Sequence, residues 1–297
     1  MDCDILEEMP QEAIDYFCEQ VLKRDWPNSI LAYYFIKTGL KWNNTNSAST
    51  YKLYYLSNDI ENGTFIGIYS QPDQYPDVIV VYTCPGNEKQ FQRVLRNTKF
   101  IDWQKKPLFQ AVLERISGIV ESTIQEKGMK SRMYVDCVLK WMPADEAAKL
   151  EVKVPEEVCI GQLNKDHVDF IYSHWGHSDV YSKFDIWDTI MLNFGLGVFN
   201  RHSNDLLAWA MNGSYGGLST LIVTPESRRR GFGKLIAKAI TKEMGKRGIT
   251  PYAIIGQLNI TSLEIFKSIG YDTISEPVIY FIVEEPRMDH GIDSANH

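Results

Sequence analysis

The stretch LSTLIVTPESRRRGFGKLIAKAI, residues 218–240, constrains this chain more tightly than any other. An apolar run, Leu221, Ile222 and Val223, stops at Thr224-Pro225. Arg228, Arg229 and Arg230 follow, then Gly231-Phe232-Gly233. From Phe232 onward, Leu235, Ile236, Ala239 and Ile240 recur at helical spacing, which lines them up on one face. The order is strand, tight turn, helix, with the glycines where the helix opens. Unpaired amides at a helix N-terminus form an anion site, and small residues there let a phosphate approach the backbone. The arginines suit a ligand with more than one phosphate. A Walker-type loop is excluded because no GxxxxGK[ST] occurs. A dinucleotide-binding turn is disfavoured because Gly231-Phe232-Gly233 is followed by Lys234-Leu235-Ile236, without the third glycine.

The spacing that does occur is R-x-x-G-x-G, from Arg228 through Gly231 to Gly233. Further on, Lys246-Arg247-Gly248 reads as a helix stop, with Pro251 beyond it. Tyr252 to Ile255 suits a buried strand, and Asn259 suits the cap of a helix carrying Ser262 and Phe266 before Gly270-Tyr271. Taken alone, these are a strand–helix turn with solvated arginines, a cap, a surface serine and a core phenylalanine. Taken together and in this order, they resemble the two acyl-CoA signatures of the GNAT acyltransferases. The resemblance implies that Leu221, Ile222 and Val223 meet the pantetheine arm. It places Arg228, Arg229, Arg230, Gly231, Phe232, Gly233 and Lys234 around the pyrophosphate, with Asn259, Ser262 and Phe266 along the CoA arm. The implied co-substrate is acyl-CoA, with no metal.

Composition narrows the remaining classes. With 44% hydrophobic and 23% charged residues over 297 positions, the chain reads as globular and long enough for two domains. No run approaches the roughly 18 apolar residues of a membrane helix. A net charge of −7 disfavours a general nucleic-acid partner, the arginine cluster being a local exception. Cys3, Cys18, Cys84, Cys137 and Cys159 are scattered without a CxxC pair, which argues against disulfide scaffolding and structural zinc. Cys3 reads as an exposed thiol and the others as small buried hydrophobes. The acidic start lacks a secretory or mitochondrial leader pattern, so the expected location is the cytoplasm. The family resemblance offers the mitochondrial matrix as an alternative.

The expected fold class is α/β with a mixed sheet. A GNAT fold occupies the second half, and a degenerate GNAT-like copy the first. Boundaries are read at 1–145 and 155–297, joined by a surface connection around 143–158. In the second half, strands are expected near 158–163, 196–201, 206–212, 217–223, 252–258 and 278–283. Helices are expected over 165–175, 182–194, the glycine-arginine turn onward, and 260–269. In the first half, helices are read at 10–24 and 28–38, strands at 51–56, 64–69 and 78–83, a long helix at 107–127 and a strand at 132–139. Cys84-Pro85-Gly86-Asn87 stands where the second half has its glycine-arginine turn.

The chain as a whole resembles the glycine N-acyltransferase family. Local matches are Asp25-Trp26-Pro27, Tyr75-Pro76-Asp77, Leu163 to Val168 ahead of His174-Trp175-Gly176, and Leu207 to Met211. This implies transfer of an acyl group from CoA to the amine of glycine or another small amine, by direct attack. Such chemistry needs a group to take the amine proton and a donor for the developing oxyanion. The family's base glutamate maps onto Gly217, and the tyrosine acid common in GNAT enzymes maps onto Phe266. The catalytic candidates are therefore Tyr215, Ser219 and His177, with His174, Tyr181 and Gln257 nearby. Each also has an ordinary structural reading. Glu226 lies at the phosphate end and reads as a local cap. Two other functions stand beside the first: a CoA-binding protein that has lost transfer, and a protein or peptide N-acetyltransferase.

Overall fold

The computed structural model describes residues 4–45, 47–72 and 75–285; the side chains of 133–135 are not described, and Cys3 lies outside the described residues. The first part runs β1 (Glu7–Glu8), α1 (Gln11–Tyr16), α2 (Ile30–Asn43), β2 (Thr50–Tyr55), β3 (Phe65–Ser70), β4 (Val78–Tyr82), α3 (Glu88–Asn97), β5 (Leu108–Leu113), α4 (Glu114–Glu126) and β6 (Lys130–Trp141). After α5 (Ala144–Ala148) come β7 (Val158–Gln162), α6 (Val168–Ser173), α7 (Lys183–Asp188), β8 (Phe194–Asn200), β9 (Leu206–Asn212) and β10 (Leu218–Val223). The chain then continues through α8 (Phe232–Lys246), β11 (Tyr252–Gly256), α9 (Ile260–Ser268), β12 (Asp272–Thr273) and β13 (Val278–Glu284). From α1 to β6 and from α6 to β13, the two parts repeat one order of elements.

Two sheets hold these strands. The smaller is β10-β9-β8-β7, and the nine-stranded one runs β1-β2-β3-β4-β5-β13-β6-β11, with β12 also on β6. The last strand of each part crosses to the other. β13 pairs antiparallel with β5, Val278 opposite Leu113, while β6 pairs antiparallel with β11, Cys137 opposite Gly256. At the centre β13 and β6 pair with each other, Val278 opposite Cys137. Each part thus closes its sheet with a strand that the other part supplies.

The parts differ at one place. In the first, β4 and β5 pair in parallel, Val78 opposite Leu108 and Ile79 opposite Phe109. In the second, the corresponding strands β10 and β11 end different sheets and share no ladder. The continuous apolar run of β4, Val-Ile-Val-Val-Tyr, is buried along its whole length, as expected of a strand covered on both faces.

Several elements depart from the sequence expectations, among them the helix expected at 10–24, which is α helix only over Gln11–Tyr16 and then passes through a π turn (Phe17–Val21) and a 3₁₀ turn (Leu22–Asp25). The single helix expected at 107–127 is a strand, β5, followed directly by α4. Leu108–Leu113 is a short apolar run that periodicity does not assign, and pairing to β4 and β13 makes it a strand. α3 was not foreseen; it buries Phe91, Val94 and Leu95. The helix expected at 182–194 is α helix only to Asp188, then a π turn over Thr189–Asn193. The stretch read as a surface connection is also partly docked. Ala147 of α5 is fully buried, and Gly245 of α8 lies so close that an added Cβ would stand 2.4 Å from the Ala148 nitrogen.

A buried ionic knot ties the parts together where the first has no cleft. Arg115, at the start of α4, donates to Asp25 Oδ2 at 2.8 Å and to the Thr83 carbonyl at 2.9 Å, and it pairs with Glu276 just before β13. Tyr82 donates to the same Asp25 oxygen at 2.9 Å. Removing one partner of such a set strands the others without water. Arg115→Ala is expected to lower unfolding free energy by about 3 kcal/mol in urea titrations. Lys149→Ala, which removes an exposed pair with Asp145, should leave the urea midpoint almost unmoved. Equal losses for the two would show that the knot contributes nothing.

Candidate functional site

The gap between β10 and β11 is a cleft of about 1010 Å³. One wall is β10 itself, with Leu221, Ile222 and Val223 facing the space. Its register against β9 shifts between Ser219 and Ile222, and Thr220 sits in that bulge at φ +53°. A β-branched residue in the left-handed region is a true outlier, held only where the surroundings impose it. No sequence pattern announced it.

The strand leads into the arginine turn, and Gly231, at φ +82°, is the N-cap of α8. A Cβ there would touch nothing within 4 Å, and at Gly233 it would only reach ordinary contact at 3.4 Å with Ile265 and Val223. The space over the helix N-terminus is therefore open, and the helix has no side-chain cap of its own. Arg228, Arg229, Gly231, Phe232, Gly233 and Lys234 all line the cleft. Arg229 is held at φ +61°. Arg230 is not brought in with them. Its guanidinium lies 4.7 Å from the Phe232 ring centre and 3.8 Å from Glu157.

On the opposite wall, Asn259 accepts the Ser262 amide at 3.1 Å and so caps α9. Asn259, Ser262 and Phe266 all border the space. Phe266 is buried and packs edge-on against Tyr271, 4.9 Å between centres.

Between the walls lies the turn 213–217. Gly217 has no room for a side chain: a Cβ would stand 2.5 Å from the Tyr215 ring and 2.8 Å from that of Tyr252. The position onto which the family's base glutamate maps is filled by two aromatic rings. Tyr215 donates to the Leu218 carbonyl at 2.9 Å, and Tyr252 donates to the Tyr215 carbonyl at 2.6 Å. Burial, then the nearby Asp185 charge, pushes the Tyr215 phenol well above its ordinary range. Tyr215 therefore holds its proton at neutral pH. Ser219 points back to the Met211 carbonyl at 3.5 Å.

His177 lies on a loop across the cleft, its ring edge-on to Trp175. His174 borders the cleft too, with Nδ1 2.8 Å from the Phe170 carbonyl. Tyr181 stacks on Trp175 at 5.3 Å. Gln257 is exposed and does not line the space, and Glu226 is exposed in the turn before Arg228.

The remaining walls were not read from the sequence. Leu108 comes from β5, Cys137 from β6, and Tyr280 and Ile282 from β13. They meet the second part only because the terminal strands cross, a pairing no local pattern encodes. Burial pushes the Cys137 thiol up to about 12, so it is an apolar wall rather than a nucleophile. Among the described residues, no group of three or more His, Cys, Asp or Glu side chains is placed to hold a metal ion. No described helix is long and apolar enough to cross a membrane.

Comparison with known proteins agrees with this architecture. Residues 195–279 match a family model described as FR47-like protein, and residues 5–123 match one described as a domain of unknown function. No curated protein is matched by sequence. A Drosophila protein solved by a structural genomics consortium superimposes with a TM-score of 0.85 at 21% identity, over 96% of this chain and 100% of that one. A tandem GNAT protein from the clavulanic acid biosynthesis pathway gives 0.55 at 11%, over 96% and 100%. A GCN5-related N-acetyltransferase from Kribbella flavida gives 0.50 at 12%, over 74% and 86%. The fold is therefore the mixed α/β GNAT type, and the tandem relative spans both parts. The matches show the GNAT fold and do not reach the glycine N-acyltransferase branch.

The turn bearing Tyr215 rests on a buried carboxylate. Asp185 accepts from Tyr69 at 2.8 Å and hydrogen-bonds the Ser214 side chain, while Tyr51 donates to the Ser214 carbonyl at 2.6 Å. Burial, with the Asp188 charge adding to it, raises Asp185 to about 6 against the pull of these hydrogen bonds. A free aspartate ionises near about 4. The native state therefore binds the extra proton between these values, and stability falls as pH rises from about 4 to about 6. Urea midpoints taken across that window should show this slope, and Asp185→Asn should flatten it. An unchanged slope would mean another group carries it.

Proposed function

We propose that this chain is an acyl-CoA-dependent N-acyltransferase that moves an acyl group onto a small amine, glycine being one such amine, by direct attack. The observation that carries this reading is the pair of unladdered strands, β10 and β11, whose gap runs to the open N-terminus of α8 beside Arg228 and Arg229. A free strand edge can accept an extended amide-bearing arm by backbone hydrogen bonds, and the helix N-terminus with its arginines suits the pyrophosphate. The residues present fit acyl-CoA: the glycine cradle is open and the edge is unused.

Bound acyl-CoA would supply an activated thioester carbonyl. The bulge at Thr220 then presents the β10 backbone as the oxyanion donor. His177 takes the proton from the incoming amine, directly or through water. Tyr215, held protonated next to the strand, serves as a hydrogen-bond donor to the departing sulfur, and the proton that completes the thiol returns from the His177 imidazolium or from water. Ser219 orients the acceptor from the bulge. A second reading, CoA binding without transfer, is favoured by the aromatic filling at Gly217.

Acetyl-CoA at a hundred times its Kd should stabilise the fold by about 2.7 kcal/mol in thermal-shift measurements. Arg228→Ala and Arg229→Ala should each weaken that binding by about tenfold or more, and Arg230→Ala by less. Tyr215→Phe should keep the acetyl-CoA shift and lower thiol release by about 10- to 100-fold. No stabilisation by any acyl-CoA would refute the reading. Stabilisation with no thiol release from any amine would favour the second.

A further inference from the structure

We propose that, among small amines, the preferred acceptor is a cationic amine carried on an aromatic or aliphatic body rather than an amino acid such as glycine. This rests on reading the cleft as an acyl-CoA site, and it comes from how charge is distributed around that cleft. Among the described residues lining it, the Arg and Lys side chains are Arg228, Arg229 and Lys234, all in the turn and first helical turn that suit phosphate. The walls built by the loop 174–181 and by β5, β6 and β13 present Trp175, Tyr181, Tyr280, Leu108, Cys137 and Ile282. Asp179 is the one carboxylate among the described lining residues, and it stands on the same loop.

The charge behind these walls has the same sign. Asp185, buried behind the turn, acts electrostatically on both Tyr181 and Tyr215. Tyr280 falls at the register shift of β13 between Ile279 and Phe281, where β5 has Gln110 and Ala111, the latter at φ +48°. The crossed strands are thus bent where this aromatic wall meets the cleft.

A substrate carboxylate on the acceptor side would lose water, find no Arg or Lys among the described lining residues outside the phosphate-binding turn, and share the space with Asp179. An anion moved from water without a partner is heavily penalised. An ammonium group gains instead, from the aromatic faces and from the carboxylate at the mouth. Its proton then passes to His177 or water, the free amine forms the new C–N bond to the acyl carbon, and the C–S bond breaks with the thiol released. Atoms and charge balance without a further reactant.

The test uses matched acceptors with the full chain and acetyl-CoA, following thiol release and checking acylated products. Phenethylamine and phenylalanine differ only by the carboxylate, and glycine completes the set. The expected result is a kcat/KM at least about 30-fold higher for phenethylamine than for phenylalanine or glycine. Asp179→Asn should raise KM for phenethylamine several-fold, keep kcat within about twofold, and leave the acetyl-CoA thermal shift unchanged. If acetyl-CoA shifts the fold but the amino acids are used as well or better, this proposal is overturned and the acyl-CoA reading stands. Thiol release only with lysine-containing peptides, or with no amine at all, also overturns it. Absence of the acetyl-CoA shift would instead bring down the reading on which it rests.

Discussion

Two strands, β10 and β11, each finish a sheet without a partner on the side that faces the other, and the functional architecture depends on that gap. An unused sheet edge is ordinarily a hazard, because its free amides and carbonyls invite pairing with another chain. Here the edges face inward across a lined space rather than outward. The bulge at Thr220 bends β10 and denies it a regular ladder, and the α8 N-terminus caps the open end with unpaired donors. An extended polar arm that ends in phosphates satisfies all of these groups at once.

The crossing of the terminal strands explains how such a gap is tolerated. A sheet opened along one seam would lose cooperativity between its two sides. In this chain β6 and β13 pair at the centre of the nine-stranded sheet, and each also pairs with the other part's strand. The walls of the cleft are therefore anchored to a continuous sheet even though the cleft divides β10 from β11. In the first part the equivalent seam is shut by the parallel pairing of β4 and β5, and the Arg115 knot fills the end of β4. One order of elements thus gives a closed support and an open site.

How much of this was legible in the sequence follows from the range over which each determinant acts. The strand, turn and helix around Gly231 were readable because capping, glycine conformation and helical periodicity are all local. β5 was missed because Leu108–Leu113 is short and apolar, and its state is set by strands far away in the chain. The gathering of residues from Leu221 to Phe266 was likewise readable from the family signatures. Leu108, Cys137 and Tyr280 were not, since their place in the cleft depends on strand crossing. Arg230 illustrates the reverse: the sequence grouped it with its neighbours, while the left-handed backbone at Arg229 precedes its turn toward Glu157.

The Gly217 position joins these levels. A side chain there is barred by the rings of Tyr215 and Tyr252, and Tyr252 is held by its hydroxyl on the Tyr215 carbonyl. Gly216 cannot move away to make room, since at φ +82° it lies against Tyr34 and Thr38 of α2. The turn is therefore held by the first part of the chain, through α2 on one side and through Tyr51 and Tyr69 on the other, with Tyr69 also holding the buried Asp185 of α7. That packing leaves no space for a carboxylate at residue 217. Returning glutamate to this position would collide with two rings before it reached the cleft. On the proposed reading, proton handling would fall to groups that the packing leaves in place, the protonated phenol on the turn and the imidazoles of the loop 174–181. On that reading, a site arranged in this way would ask of its acceptor chiefly a cationic nitrogen and a body that fits among aromatic walls.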